Sequence, residues 1–287
     1  MCIDSITATL ASVATTGWQY LNSNIAIAVI GGFTGAIGGA LGAQRIVERS
    51  RRREERLKEL RYTNAAIIVA HTVCNAALAL KKQHVQTMRE DFIKSRADLE
   101  SFKAKRNANL IPPNVEFNLH MDMRNYPAPI VPIETLKHIV FQEISAVGRP
   151  LALVAVIEQS LIGLGAAIAK RDALIQRFSS GEIPEDKRLH YYFGLPLQGG
   201  HVNQEYPDLV EAIYSHVDDL AFFGYQLCTD LMKHGAKVRE ALIAEKSSKQ
   251  VPHVSEVDYS GPKKTGLIPP DSQYGDWVNA FLERPEL

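Results

Sequence analysis

The sequence predicts a mostly α-helical protein with a single N-terminal transmembrane helix, a long helical stalk and a cytosolic helical bundle containing at most one or two short β-strands. Three observations support this fold class. Residues 25–43 form an uncharged, glycine-rich run. A strongly basic stretch follows it directly, and neither Gly nor Pro occurs from residue 44 to residue 111. Three later segments carry apolar residues at helical spacing.

The uncharged run predicts a membrane span over residues 24–44. The 19 residues from Ile25 to Ala43 contain no charged side chain. As an α-helix they would cover roughly 28 Å, close to the thickness of the hydrocarbon core of a bilayer. No Lys or Arg precedes the run, and it starts too late for a cleaved signal peptide. We therefore expect a retained anchor.

The glycines of this span recur at the four-residue spacing that lets two membrane helices approach closely. They predict that the span self-associates, with packing positions at Gly31, Gly35, Gly38, Gly39 and Gly42. The alternative is a lone anchor, because Gly is more frequent in membrane helices than in soluble ones.

The basic stretch fixes the expected orientation. Residues 45–61 contain seven Arg and one Lys against four Glu, and no Lys or Arg precedes them. The positive-inside rule therefore places the N-terminus outside and the C-terminal part in the cytosol, at a bacterial-type inner membrane. Anionic lipid headgroups are the expected contacts of Arg45, Arg49, Arg51, Arg52 and Arg53. Residues 1–23 would form a short extracytoplasmic segment, either lying on the membrane surface or entering it partway.

Residues 45–106 are rich in strong helix formers and predict the stalk helix that continues from the span. Within it, Asn64, His71 and Asn75 fall on one helical face. They could form a polar seam between subunits of a coiled-coil-like assembly. The alternative is the solvated edge of a core helix.

Residues 107–246 predict the cytosolic bundle, with helices near 132–147, 151–178 and 207–245. The segment 151–169 is long enough to span a membrane. However, Glu158 and Gln159 near its middle favour a soluble core helix, with a second span as the alternative.

A Pro-rich extended insert, residues 107–132, opens this bundle. Apolar side chains alternate with polar ones over 115–123, which is the period of a β-strand. The strand would pair with 253–259, with another subunit, or with a strand supplied by a partner protein. An extended segment packed on helices is the alternative.

The last part of the chain, residues 247–287, predicts a flexible tail because apolar residues are sparse there. Its end groups Trp277, Phe281 and Leu282 into a short apolar patch at 277–282. Such a patch could dock on the bundle or on a cytosolic partner protein.

The composition and the absence of known motifs argue against nucleic-acid binding and against an enzyme. The net charge is zero, which disfavours nucleic-acid binding, and the three cysteines are too scattered for a disulfide framework. The chain has no P-loop, G-x-S-x-G or H-E-x-x-H motif. His216 with Asp218 and Asp219, and His120 with Asp122, have weak metal-type spacing that polar edges also produce. We therefore expect no enzyme, with no catalytic residue, cofactor or metal.

The layout of one glycine-rich span, a basic collar, a stalk and a cytosolic bundle resembles single-span effectors that permeabilise bacterial membranes in antiphage defence. The resemblance implies a homo-oligomer that forms a pore gated by its cytosolic bundle. It is a likeness of architecture without a shared motif. The alternative is a membrane-anchored adaptor or scaffold that recruits a cytosolic protein, and the third is an enzyme with a site that the sequence does not reveal.

Overall fold

The computed structural model describes residues 24–245 and 250–281, with side-chain surroundings from residue 42 onward. This part of the chain is mostly helical and contains no β-strand, only an isolated antiparallel bridge between Pro196 and Val202. Residues 1–23 lie outside the description. The side-chain surroundings of residues 24–41 do so as well, so the packing of Gly31, Gly35, Gly38 and Gly39 stays a prediction.

The first helical stretch follows the run without Gly or Pro. Helix α1 covers Asn24–Leu80, a five-residue π-helical turn covers Lys81–Val85, and α2 covers Gln86–Asn107. The chain divides into two compact units, residues 1–57 and 58–287. From Leu60 onward, side chains of α1 are fully buried in the second unit. Most of the predicted stalk is therefore built into the bundle.

The remaining helices complete the second unit. They are α3 (Ile133–His138, continued by a π turn over Ile139–Glu143), α4 (Arg149–Ser179), α5 (Glu185–Phe193), α6 (Glu205–Ala244), α7 (Ser260–Lys264) and α8 (Gly275–Asn279). The long helices α4 and α6 pack along each other. Helices α4 and α6 agree with the predicted segments.

Two differences from the predicted helices have local causes. The helix expected over 132–147 ends at Glu143, because Ile144 is extended and the Ser145 amide donates to Glu59 Oε1 at 3.0 Å instead of continuing the helix. Helix α5 was not predicted by helical spacing. It follows Pro184 and ends at Gly194, whose φ of 65° suits glycine.

The insert that follows α2 is extended but is not a strand. Over residues 110–132 no helix or ladder forms, so the predicted pairing of 115–123 with 253–259 is wrong, while pairing with another subunit or a partner protein stays a prediction. The period-2 pattern still has a physical meaning. Phe117, Leu119, Met121 and Met123 are partly buried against the core, while Asn118 and His120 face solvent. The alternative of an extended segment packed on helices describes it.

The C-terminal part differs from the expected flexible tail. Residues 250–281 follow a defined path over the bundle. The Asn64 side chain donates to the His253 carbonyl at 2.9 Å and accepts from the Ser255 amide at 2.8 Å. Tyr259 and Ile268 are buried. The strand proposed for 253–259 does not form.

Two described helical stretches are long and apolar enough to cross a membrane, 42–107 and 149–179, with mean hydropathies of 1.5 and 2.0. In the most apolar window of each, 50% and 39% of the residues are buried inside the protein. Helix α4, for example, buries Leu153, Ile157 and Leu164 in the core and exposes Ile162. Core helices of soluble proteins are equally long and apolar, so these properties alone do not identify a membrane span.

Helices α1 and α6 approach each other closely at Gly224. A Cβ at this position would lie 2.9 Å from the Cys74 Cβ and 3.2 Å from its Cα. Because part of the obstacle is backbone, side-chain rotation cannot relieve it. Gly224 therefore sets how closely the two helices approach.

We expect Gly224→Ala to lower the free energy of unfolding by about 1–3 kcal/mol, because the methyl group must push α1 away from α6. Gly165→Ala is the matched control: it lies in helix α4 with open space around its Cβ. It should stabilise the protein by about 0.5–1 kcal/mol, since Ala is the better helix former. Denaturant unfolding followed by circular dichroism measures both. Equal effects of the two substitutions would contradict the close crossing.

Candidate functional site

The best-formed groove of the described residues lies between α2 and the extended insert. Its volume is about 610 Å³, within the range of ligand-binding sites. Helix α2 contributes one wall through Asp91, Lys94, Ser95 and Asp98. Residues 117–124 form the other wall, and Tyr192 of α5 also lines it.

A buried arginine holds the insert in place. Arg171 of α4 is fully buried, and its guanidinium donates to the carbonyls of Arg124 at 2.7 Å and Asp122 at 3.0 Å. It also lies over the Tyr126 ring, 4.6 Å from the centroid. A buried charge is tolerated only when it is hydrogen-bonded. Here the two terminal nitrogens of Arg171 donate to backbone that belongs to no helix or sheet, while its buried Nε has no hydrogen-bond partner among the described residues.

The Asp122 carboxylate completes this cluster. It accepts two hydrogen bonds from the Arg124 guanidinium, at 2.9 and 3.0 Å, and one from the Tyr126 hydroxyl. Burial alone would raise the pKa of Asp122. The hydrogen bonds from Arg124 and Tyr126, together with the charge of Arg171, lower that pKa to about 2. Asp122 is therefore an ionised structural group at neutral pH.

The other end of the insert is anchored by α2. The Arg106 guanidinium donates to the carbonyls of Pro113 at 2.9 Å and Val115 at 2.6 Å. The Phe117 ring contacts Phe102, with 5.5 Å between the centroids. The insert is thus fixed at both ends by arginines and along its length by its apolar side chains.

Between these anchors the backbone is unpaired. None of the amide or carbonyl groups of residues 116–121 forms a hydrogen bond with another described residue. Backbone groups of an extended segment are strong donors and acceptors in a regular array. The groove thus presents an open edge for pairing, and it contains no nucleophile hydrogen-bonded to a base.

The predicted metal-type cluster of His216, Asp218 and Asp219 makes other contacts instead. Asp218 forms a buried ion pair with Lys81, with 2.6 Å between Oδ1 and Nζ, and Asp219 accepts from the Tyr274 hydroxyl at 2.8 Å. His216 stacks against Gly163, where a Cβ would lie 2.5 Å from the imidazole. Within the described residues no three metal-ligating side chains converge.

The buried Lys81–Asp218 pair explains the π turn that separates α1 from α2. Lys81 also donates to the Leu267 carbonyl at 2.9 Å, so the turn directs its ammonium group into the bundle. Burial raises the pKa of Asp218, while the hydrogen bond and charge of Lys81 oppose that shift. Neither Lys81 nor Arg171 was singled out in the sequence. A charged residue inside an otherwise apolar helical face is the signal that would have found them.

The three residues of the predicted polar seam have different surroundings in the structure. Asn64 is hydrogen-bonded to residues 253 and 255, His71 lies 3.1 Å from the Tyr259 hydroxyl, and Asn75 is exposed. Asn64 and His71 are therefore satisfied within the chain. An intersubunit role for these residues stays a prediction.

The predicted headgroup-binding arginines lie in the part of the first unit whose side chains are described, residues 42–57. Arg51 pairs with Glu55 at 3.0 Å and Arg52 pairs with Glu48, each one turn apart on α1. Arg45 and Arg49 are exposed, and Arg53 is partly exposed. Gly42, the one packing glycine with described surroundings, has open space around its Cβ position. Lipid contact stays a prediction.

The apolar patch at 277–281 docks on the protein itself. Trp277 packs against Phe223 of α6, with 4.9 Å between ring centroids, and Phe281 packs on Trp277 at 4.8 Å. Tyr274 stacks on Phe222 at 4.0 Å. Leu282 lies outside the described residues. Docking on the bundle, one of the two expectations, therefore describes this segment.

The two described cysteines are core residues. Burial raises the pKa of Cys74 to about 12 and that of Cys228 to about 11. The Tyr259 hydroxyl donates to Cys228 Sγ at 3.1 Å and covers that thiol. Protonated, covered thiols react slowly. They give no redox or nucleophilic site.

The chain matches no protein-family model, and no curated protein or solved structure is significantly similar to it.

We expect Asp122→Asn to destabilise the protein by about 1–2 kcal/mol at pH 7, because the native state loses a hydrogen-bonded charge with a pKa near 2. An aspartate whose pKa is lowered on folding stabilises above its unfolded value near 4, and that contribution is lost as the pH falls toward 2. The difference between wild type and Asp122→Asn should therefore shrink between pH 5 and pH 2. Denaturant unfolding across this range measures it, and a difference independent of pH would contradict the assignment.

Proposed function

We propose that this chain is a non-enzymatic, membrane-anchored adaptor whose helical domain recruits another protein. The anchor would be residues 24–44, with the N-terminus outside and the domain from residue 58 onward in the cytosol. The proposal places the arginines of residues 45–53 at anionic headgroups of a bacterial-type inner membrane. Charge asymmetry and the uncharged run of the sequence support this placement.

The observation that carries the recruiting role is the open edge at residues 116–121. A segment whose amides and carbonyls have no partner among the described residues, beside a groove of about 610 Å³, suits the addition of a strand from another chain. No arrangement of the described residues has a comparable chemical purpose. The polar clusters around Arg171 and Lys81 are engaged in holding the fold together.

The folded position of residues 250–281 changes which part of the chain would recruit a partner. Tyr259 and Ile268 are buried, and the patch at 277–281 is in contact with α6. Removing this segment would expose the core and lower the stability of the protein. A deletion therefore tests stability rather than recruitment. The groove is the better candidate for contact with a partner.

A photocrosslinker at the groove tests recruitment in cells. We expect p-benzoylphenylalanine at the exposed Asn118 to yield one crosslinked product of higher mass in isolated membranes, identified by mass spectrometry. The matched control places it at Glu240, an exposed position on α6, where that product should be missing. Identical products from both positions, or none from Asn118, would contradict the adaptor.

A second candidate function is self-assembly into a membrane-permeabilising oligomer gated by the helical domain. The small-xxx-small spacing from Gly31 to Gly42 favours it, because this pattern allows close contact of helices in lipid. Helix α1 continues from these residues to Leu80 without interruption. A change in the domain could therefore reach the glycines through one helix.

For this second candidate, Gly35→Leu with Gly39→Leu should abolish oligomers and any dye leakage from vesicles, because leucine separates the helix backbones. If Gly35 and Gly39 face lipid instead, the two leucines would leave both the oligomers and the dye leakage unchanged. Crosslinking and particle mass in mild detergent measure assembly, and Ile37→Leu, which alters no small residue, is the control. Unchanged oligomers in the double variant would exclude assembly through these glycines.

A further inference from the structure

We propose that the groove binds an extended peptide that adds as a strand to residues 116–121 and carries Lys or Arg beside α2. This inference deepens the proposed function and rests on it, since it specifies the chemistry of the recruited partner.

The backbone of the groove is preorganised for pairing. Arg106 holds the carbonyls of Pro113 and Val115, and Arg171 holds those of Asp122 and Arg124. The six residues between these anchors are extended and keep their amides and carbonyls unpaired among the described residues. A segment that is already ordered loses little conformational entropy when a strand adds to it. Strand addition uses such an edge for affinity.

The walls of the groove determine the side chains of the partner. Asp91 and Asp98 lie two helical turns apart on α2, roughly 10 Å along the axis. Both are exposed, and neither forms a hydrogen bond or ion pair with a described residue. The third carboxylate, Asp122, is already compensated by Arg124 and Arg171. Of the charged side chains through which α2 lines the groove, two are acidic and one, Lys94, is basic.

Charge complementarity therefore selects a basic peptide. In an extended chain, alternate side chains point to the same side about 7 Å apart, so Lys or Arg side chains at such positions can reach both aspartates. Met121 and Met123 also line the groove. Their flexible side chains accommodate partners of varied shape.

A second copy of this chain is a poorer occupant. Its own extended segment carries Glu116 and Asp122 and no Lys or Arg between residues 115 and 123. Pairing it in the groove would bring carboxylates toward Asp91 and Asp98, and like charges facing each other are destabilising. The segment at 253–259 carries Glu256 and Asp258 and has the same fault.

Selection from a phage-displayed library of random dodecapeptides on the purified full-length protein in detergent tests the proposal. We expect enriched peptides with Lys or Arg and with β-branched residues at alternating positions. No enrichment, or enrichment of acidic peptides, would overturn it. Enrichment of peptides resembling residues 115–123 would point to a second copy and would also overturn it.

Two matched pairs of variants then separate charge from backbone pairing, using one selected peptide with a fluorescent label. Asp91→Asn with Asp98→Asn should weaken binding about three- to tenfold at low salt, while Asp186→Asn with Glu240→Gln, which removes two exposed carboxylates outside the groove, should not. His120→Pro should abolish binding, because it removes one amide and blocks the edge. Ala128→Pro, at an exposed position of the insert outside residues 116–121, is the matched control and should bind normally.

A peptide with N-methyl groups on alternate amides provides a test that leaves the protein unchanged. It keeps every side chain but cannot donate along one edge, so it should fail to bind when the methyl groups face residues 116–121. Equal binding of both N-methylated registers would overturn strand addition. If both N-methylated registers bind equally while the specific Asn118 crosslink is found in cells, recruitment stands and only strand addition is rejected. If the crosslink is also missing, recruitment is rejected as well.

Discussion

The burial of Arg171 is the constraint on which the architecture of the groove depends. A guanidinium at 0% exposure in the middle of an apolar helix must find acceptors inside the protein, because an unpaired buried charge costs several kcal/mol. Helix α4 has no spare carbonyls in its middle. The acceptors come instead from the insert, which is thereby kept out of any helix or sheet and drawn along α2. One buried side chain thus holds the proline-rich insert in place as one wall of the groove.

A second constraint is the close approach of α1 and α6, and the C-terminal segment depends on it. The two helices leave a furrow between them, which residues 253–259 follow past Asn64 of α1 and Cys228 of α6. Gly235 continues this furrow, since a Cβ there would lie 3.0 Å from Val254. Tyr259 closes the end of the furrow over Cys228. Small residues on the long helices therefore determine where the last part of the chain can lie.

Helical periodicity predicted the long helices of this fold but not the contacts that their side chains make. The long helices at 149–179 and 205–244 were predicted because their apolar stripes are continuous. Helix α5 was missed because its nine residues make only about two and a half turns, too few for its short apolar stripe to be recognised. The alternation at 115–123 predicted a strand, yet no strand pairs with this segment among the described residues, since periodicity reports which side is buried and not what covers it. The arrangement of Arg171, Asp122 and Tyr126 joins residues up to 49 positions apart, beyond the reach of any local pattern.

The path of the C-terminal segment also determines the order in which the protein can be completed. Asn64 and His71 find their partners 188–191 positions later in the chain. Contacts of such long sequence separation slow folding. During synthesis, α1 emerges long before residues 253–259, and its polar face waits uncovered until that segment has been made. The interval between these events is a window in which chaperones would have access to an unfinished bundle.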